Sequence, residues 1–159
     1  MKRPELLALL AFLFPLATPA HAQSSGTRFV NPSGLTKASG YTHVVVSSDG
    51  RTAYIAGQVA FDSAGNVVGE GDFKAQAEQV FKNLRVALGS VGATFKDVMK
   101  TTTFITDLKN SAALRETRGR YFDSAHPPAN SLIPVSGLAR PGLMLEIEAV
   151  VDLSARRGQ

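Results

Sequence analysis

The feature that most constrains this chain is a one-sided helix. Behind Asp72, whose short acceptor side chain suits an N-cap, the residues Phe73, Ala77, Val80, Phe81, Leu84 and Leu88 recur at helical spacing. Gly89 and Gly92 then end the run. A helix with one apolar stripe must bury it, and the flanking sequence supplies a sheet to bury it against. Thr42 to Ser47 and Thr52 to Ala56 are β-rich runs separated by Ser48-Asp49-Gly50-Arg51, and an Asp-Gly pair in that setting predicts a hairpin whose two central residues have positive φ. A second turn, Ser63-Ala64-Gly65-Asn66, separates Gln58–Asp62 from Asn66-Val67-Val68.

Downstream, Thr94-Phe95-Lys96-Asp97 has capping-box spacing, and Met99 to Thr106 reads as a threonine-rich strand. Asn110 or Ser111 opens a second helix, with Leu114, Thr117, Tyr121 and Phe122 as its buried stripe, and His126-Pro127-Pro128 breaks it. Asn130 to Ser136 and Leu143 to Val151 are the last two strands. In the final one Leu143, Leu145, Ile147, Ala149 and Val151 share one face, while Met144, Glu146, Glu148 and Val150 share the other. A short strand at Arg28-Phe29-Val30 precedes the hairpin. The predicted fold class is α+β: a mixed sheet with two helices packed on one face.

The ends set the address. Lys2 and Arg3, an apolar stretch from Leu6 to Leu16, and Ala20-His21-Ala22 have the layout of a cleavable export signal. The apolar stretch is shorter than the ~20 residues that span a bilayer. Residues 1–22 are therefore expected to be removed, placing the protein in the periplasm or outside the cell, with no membrane span after cleavage. Residues 23–40 are a lead-in, 41–153 the domain, and 154–159 a basic tail. Removing 22 of 159 residues leaves 137, enough for one core, and lowers the net charge from +4 to +3. Apart from Arg156-Arg157 at the tail and a group of Arg115, Arg118 and Arg120, the basic residues are scattered, which argues against nucleic acid as a partner.

The chain has no cysteine, which excludes disulfides, thiol catalysis and cysteine-bound metal. It has no Walker motif, dinucleotide fingerprint or nucleophile elbow, and it calls for no cofactor. After cleavage only His43 and His126 remain, with no metal-ligand spacing; both read as ordinary surface or hydrogen-bonding residues.

A series of segments carries more information together than singly. Tyr54-Ile55-Ala56-Gly57-Gln58-Val59, Gly71-Asp72-Phe73-Lys74-Ala75-Gln76, Asn83-Leu84 and Val91-Gly92-Ala93 come first. Asp97-Val98-Met99-Lys100-Thr101-Thr102-Thr103-Phe104, Thr106-Asp107-Leu108, Tyr121-Phe122, Pro128-Ala129 and Glu146-Ile147-Glu148-Ala149 follow in that order. From about Tyr41 to Val151 the chain resembles the RidA (YjgF-type) family of small enamine/imine deaminases. The resemblance implies a homotrimer, with a small-molecule ligand held in clefts between subunits. Apolar, threonine-rich strands fit a sheet whose second face is covered in such an assembly.

In deaminating members an arginine clamps the carboxylate of a 2-imino acid, and a glutamate positions the attacking water. By that resemblance Glu146 falls on the glutamate, Tyr41 on a cleft tyrosine and Gly57 on a glycine. Ala56 replaces a serine, and Leu132 takes a position that is cysteine in some members. Arg115 falls near a helix asparagine. Asn130, in Pro128-Ala129-Asn130-Ser131, stands where the arginine would be. The amide forfeits a charge-assisted pair of about 1.5–3 kcal/mol. The expected protein is an exported family member that binds a small metabolite, with 2-imino acid deamination weak or lost. One alternative is an active deaminase or hydrolase acting on C=N bonds through a relocated arginine, Arg115 or Arg140. A further alternative is a non-catalytic, chaperone-like or protein-binding role. Both arginines also read as solvated surface residues, and Glu146 as a strand carboxylate satisfied by backbone or a partner subunit.

Overall fold

A computed structural model describes residues 26–156; the proposed leader, residues 23–25 and the last three residues lie outside this range. Six strands form one sheet in the order β1-β2-β3-β6-β4-β5. They are β1 (Arg28–Val30), β2 (Val44–Val46), β3 (Thr52–Val59), β4 (Val98–Ile105), β5 (Ala129–Pro134) and β6 (Leu145–Asp152). Two helices, α1 (Phe73–Gly89) and α2 (Ser111–Arg118), complete an α+β domain.

The β2–β3 hairpin forms where Asp49-Gly50 places it, with Val44, Val45 and Val46 opposite Ile55, Tyr54 and Ala53. Its turn differs from the expected one. Only Gly50 has positive φ (68°), and its N–H donates to Ser47 O at 2.8 Å. Asp49 stays in an ordinary conformation because its carboxylate accepts from Ser47 Oγ and Arg51 N, building a four-residue loop.

The amphipathic stripe becomes α1. Asp72 accepts from Ala75 N at 3.1 Å, and Val80, Phe81, Leu84 and Leu88 are buried. They face the buried row Leu145, Ile147, Ala149 and Val151 of β6. Each such side chain contributes about 1.5–3 kcal/mol by leaving water. Phe81 anchors an aromatic cluster: it stacks on Tyr121 at 4.6 Å and meets Phe95 and Phe122 at tilted or edge-on angles. Phe81→Ala would cost about 3–5 kcal/mol.

One expectation is corrected. The second helix ends at Arg118, because Gly119 terminates it, so Tyr121 and Phe122 pack from the segment beyond. The sequence leaves the strand order open, and the last two strands are not neighbours. β5 pairs parallel to β4 at the edge, whereas β6 inserts antiparallel between β3 and β4. No helix among the described residues is long and apolar enough to cross a membrane.

Candidate functional site

The β3–β6 register slips between Ile55 and Gln58: Ile55 faces Ala149 and Gln58 faces Ile147, so β3 carries one extra residue. Gly57 lies in this bulge, and the side chain of Glu146, opposite Val59, lies over it. A Cβ at position 57 would stand 1.8 Å from Glu146 Oε1, so only glycine leaves room for the carboxylate. Glu146 is half-buried; burial first, and the charge of Glu148 second, push its carboxyl pKa up. Tyr41, just before β2, is also pushed up, by burial and then by the charge of Glu146. The structure thus brings Glu146, Gly57 and Tyr41 into one electrostatic neighbourhood.

Behind Tyr41 lies a buried polar network that sequence reasoning missed. The His43 ring meets Tyr41 edge-on at 5.0 Å, and only 2 % of His43 is exposed. Its Nε2 faces Thr36 O at 2.8 Å and its Nδ1 faces Gln58 Nε2 at 3.3 Å. Nε2–H therefore donates and Nδ1 accepts, which fixes one neutral tautomer and leaves no ring nitrogen for a metal. Gln58 also donates to Ala56 O, tying the network to the Gly57 bulge. These residues, with Leu35, Phe61 and Asn83, line a cavity of about 20 Å³, room for about one water. His126, by contrast, is exposed beside Asp123.

Asn130 sits elsewhere. It pairs with Thr101 on β4, whereas Glu146 pairs with Phe104. Three residues along one strand place the two on opposite faces of the sheet. Asn130 Oδ1 accepts from Thr101 Oγ1 (2.8 Å) and Thr103 Oγ1 (3.1 Å), both buried. Leu132, opposite Thr103, shares that face and is exposed. Neither approaches Glu146 within one chain.

Ala56 is half-buried on the other face, beside a groove of about 330 Å³ lined by Tyr54, Lys100, Thr102 and Glu148. Arg115 is exposed on α2, and its guanidinium has no partner among the described residues. Arg140 donates to Gly65 O at 3.0 Å and lies 4.8 Å from the centre of the ring of Phe61, a residue that lines the small cavity. No group of three His, Asp or Glu side chains able to hold a metal occurs among the described residues.

The mixed sheet backed by two helices, with its glycine-seated glutamate, defines a small α+β protein with the fold of the RidA/YjgF structures. The profile of the family described as Endoribonuclease L-PSP matches residues 33–153, and the chain belongs to that family, the group that includes RidA and RutC proteins. It is 40 % identical to Protein DfrA of Myxococcus xanthus over 110 residues, covering 69 % of this chain and 82 % of that one. It is 38 % identical to a RutC family protein of Synechocystis over 101 residues, covering 63 % of this chain and 77 % of the other. RidA from an Antarctic Psychrobacter superposes with a TM-score of 0.72 at 30 % identity, covering 79 % of this chain and 99 % of that one. TdcF of E. coli, solved with bound serine, also gives 0.72, at 27 % identity, with 80 % and 99 % covered.

Proposed function

We propose that the chain acts outside the cytoplasm as a homotrimer that binds a small polar or anionic metabolite between subunits, with 2-imino acid deamination weak or lost. The observation that carries this reading is the divided site. Glu146, Gly57 and Tyr41 gather on one side of the chain, Asn130 and Leu132 face the other, and the cavity beside Tyr41 has room for no more than about one water. A second copy that brings its β5 against the Glu146 side would complete a cleft large enough for a metabolite. The exposed Tyr54 and Ile133 on the open sheet face support self-association. Serine bound to the related TdcF supports a ligand of amino-acid size.

Weak deamination follows from position 130. An amide already holding two threonine hydroxyls offers only neutral donors, whereas a guanidinium would offer charge and a bidentate fork. The test generates 2-iminopropionate in situ and follows its clearance by wild type, Asn130→Arg and Glu146→Ala. The reading expects slow wild-type clearance and a gain in Asn130→Arg that Glu146→Ala abolishes. Fast wild-type clearance overturns it. Export is tested by N-terminal sequencing of the protein recovered outside the cytoplasm, which should begin at Gln23. Sedimentation equilibrium should return three times the mature mass.

A further inference from the structure

The stretch of β3 that carries Gly57 is held by side chains where a sheet is ordinarily held by its ladder. Ala56 N donates to His43 O, just before β2, at 3.0 Å. In a hydrogen-bonded antiparallel pair the return bond runs from His43 N to Ala56 O. Here His43 N donates instead to Asn31 Oδ1 at 2.9 Å. The Ala56 carbonyl is taken by a side chain, Gln58 Nε2, also at 2.9 Å. Gln58 follows Gly57 at the end of the register slip, so its amide spans the residue on which Glu146 lies.

The orientation of that amide is determined. Ala56 O can only accept, so Gln58 presents one N–H to it, and the second N–H of the same nitrogen meets His43 Nδ1 at 3.3 Å. Turning the amide over would set its oxygen against the Ala56 carbonyl. His43 and Gln58 are both almost wholly buried, so a bond lost between them is costly. From the other side, Asn83 on α1 donates to Val59 O (2.9 Å) and Phe61 O (2.8 Å), fixing the chain just beyond the bulge.

We propose that His43 and Gln58 are positioning residues of the ligand site: by fixing the Ala56 carbonyl they set the shape of the Gly57 bulge, and with it the depth at which the Glu146 carboxylate is seated. They act through the backbone. His43 Nδ1 holds the Gln58 amide, the amide holds the carbonyl, and the bulge carries the carboxylate. This rests on the reading of a metabolite cleft at Glu146, Gly57 and Tyr41, and adds what keeps its acidic side in place.

The test separates the two ends of the imidazole. In His43→Asn the amide oxygen takes the place of Nδ1 and keeps an acceptor for Gln58, while the bond to Thr36 O is lost. In His43→Gln the longer side chain carries its amide to the place of Nε2, so the donor to Thr36 O stays and the acceptor for Gln58 goes. Gln58→Met keeps the volume and removes both donors. Glu146 is titrated by carbon-detected NMR in the ligand-free protein, alongside urea melts. Its midpoint should fall by about half a pH unit or more in His43→Gln and Gln58→Met as the carboxylate moves toward water, and stay at the wild-type value in His43→Asn. A role confined to stability would lower the melts of all three variants and leave the Glu146 midpoint unmoved, which overturns the inference. If Gln58→Met fails to fold, the two His43 variants decide the matter, and equal Glu146 midpoints in them overturn it. With no ligand present, that failure leaves the metabolite cleft standing, and the 2-iminopropionate assay tests the cleft by itself.

Discussion

Replacing Gly57 by alanine isolates the contact on which the candidate site is built. The new Cβ would stand 1.8 Å from Glu146 Oε1 and 2.6 Å from Cδ, while ordinary contact begins near 3.4 Å, so the carboxylate must retreat by about 1.6 Å. Gly57 does not have positive φ, so alanine brings no backbone strain. The strained Glu146 rotamer costs about 0.5–1.5 kcal/mol, and the reduced freedom of the unfolded chain returns about 0.4–1 kcal/mol. Stability should therefore change by under about 1 kcal/mol, a shift of a few degrees in Tm. The electrostatic effect is larger and directional. Moved toward water, the Glu146 carboxyl loses the burial that raises its pKa and should titrate nearer an ordinary glutamate. Tyr41, raised partly by that charge, should fall with it. Carbon-detected NMR titration of Glu146 in wild type and Gly57→Ala reads both terms. A Glu146 titration unmoved in a folded Gly57→Ala would refute the claim that this glycine seats the carboxylate.

Glu146→Gln should be more stable than wild type at neutral pH. Below the unfolded glutamate pKa of about 4.3 both states hold the proton and the gain is zero. It grows as pH rises toward the elevated folded value and is constant above it; urea melts from pH 3.5 to 8 test this sign. Gln76→Leu should cost about 2–4 kcal/mol in the same melts. Gln76 is fully buried, donates to Gly142 O (2.7 Å) and Gly69 O (3.2 Å), and accepts from Met144 N (2.9 Å), so leucine strands three backbone groups. Asp72→Ala removes the α1 cap and should cost about 1 kcal/mol by thermal melt.

Much of the fold was legible because its signals are local. The stripe of α1, the Asp-Gly turn, the Thr94–Asp97 capping box and the alternation of β6 all lie within a few residues of chain. The order of the strands was not, because β6 meets β3 and β4 across 40 residues or more and no local period records such a pairing. The two buried amides on α1 did leave a trace: Gln76 and Asn83 fall on the same face as Phe73, Val80 and Leu84, a polar interruption of an apolar stripe. Arg118 stands four residues before Phe122, a spacing that hints at the stacking observed, but its lack of an ionic partner among the described residues appears only in three dimensions. Glu146, Gly57 and Tyr41 were singled out by family resemblance. The physical reason for the glycine, a carboxylate laid across a bulge, required the structure.

The central position of β6 has a consequence for the order of synthesis. Until Leu145–Asp152 emerge, the sheet exists only as two unconnected halves, β1-β2-β3 and β4-β5, and α1 lacks the row of side chains that its stripe covers. The last strand made is thus the keystone, and a nascent chain on the ribosome has no finished core to lock. A chain that closes only when complete stays threadable throughout its synthesis. That would suit the export proposed above, in which the chain is drawn unfolded through a membrane pore and assembles on the far side.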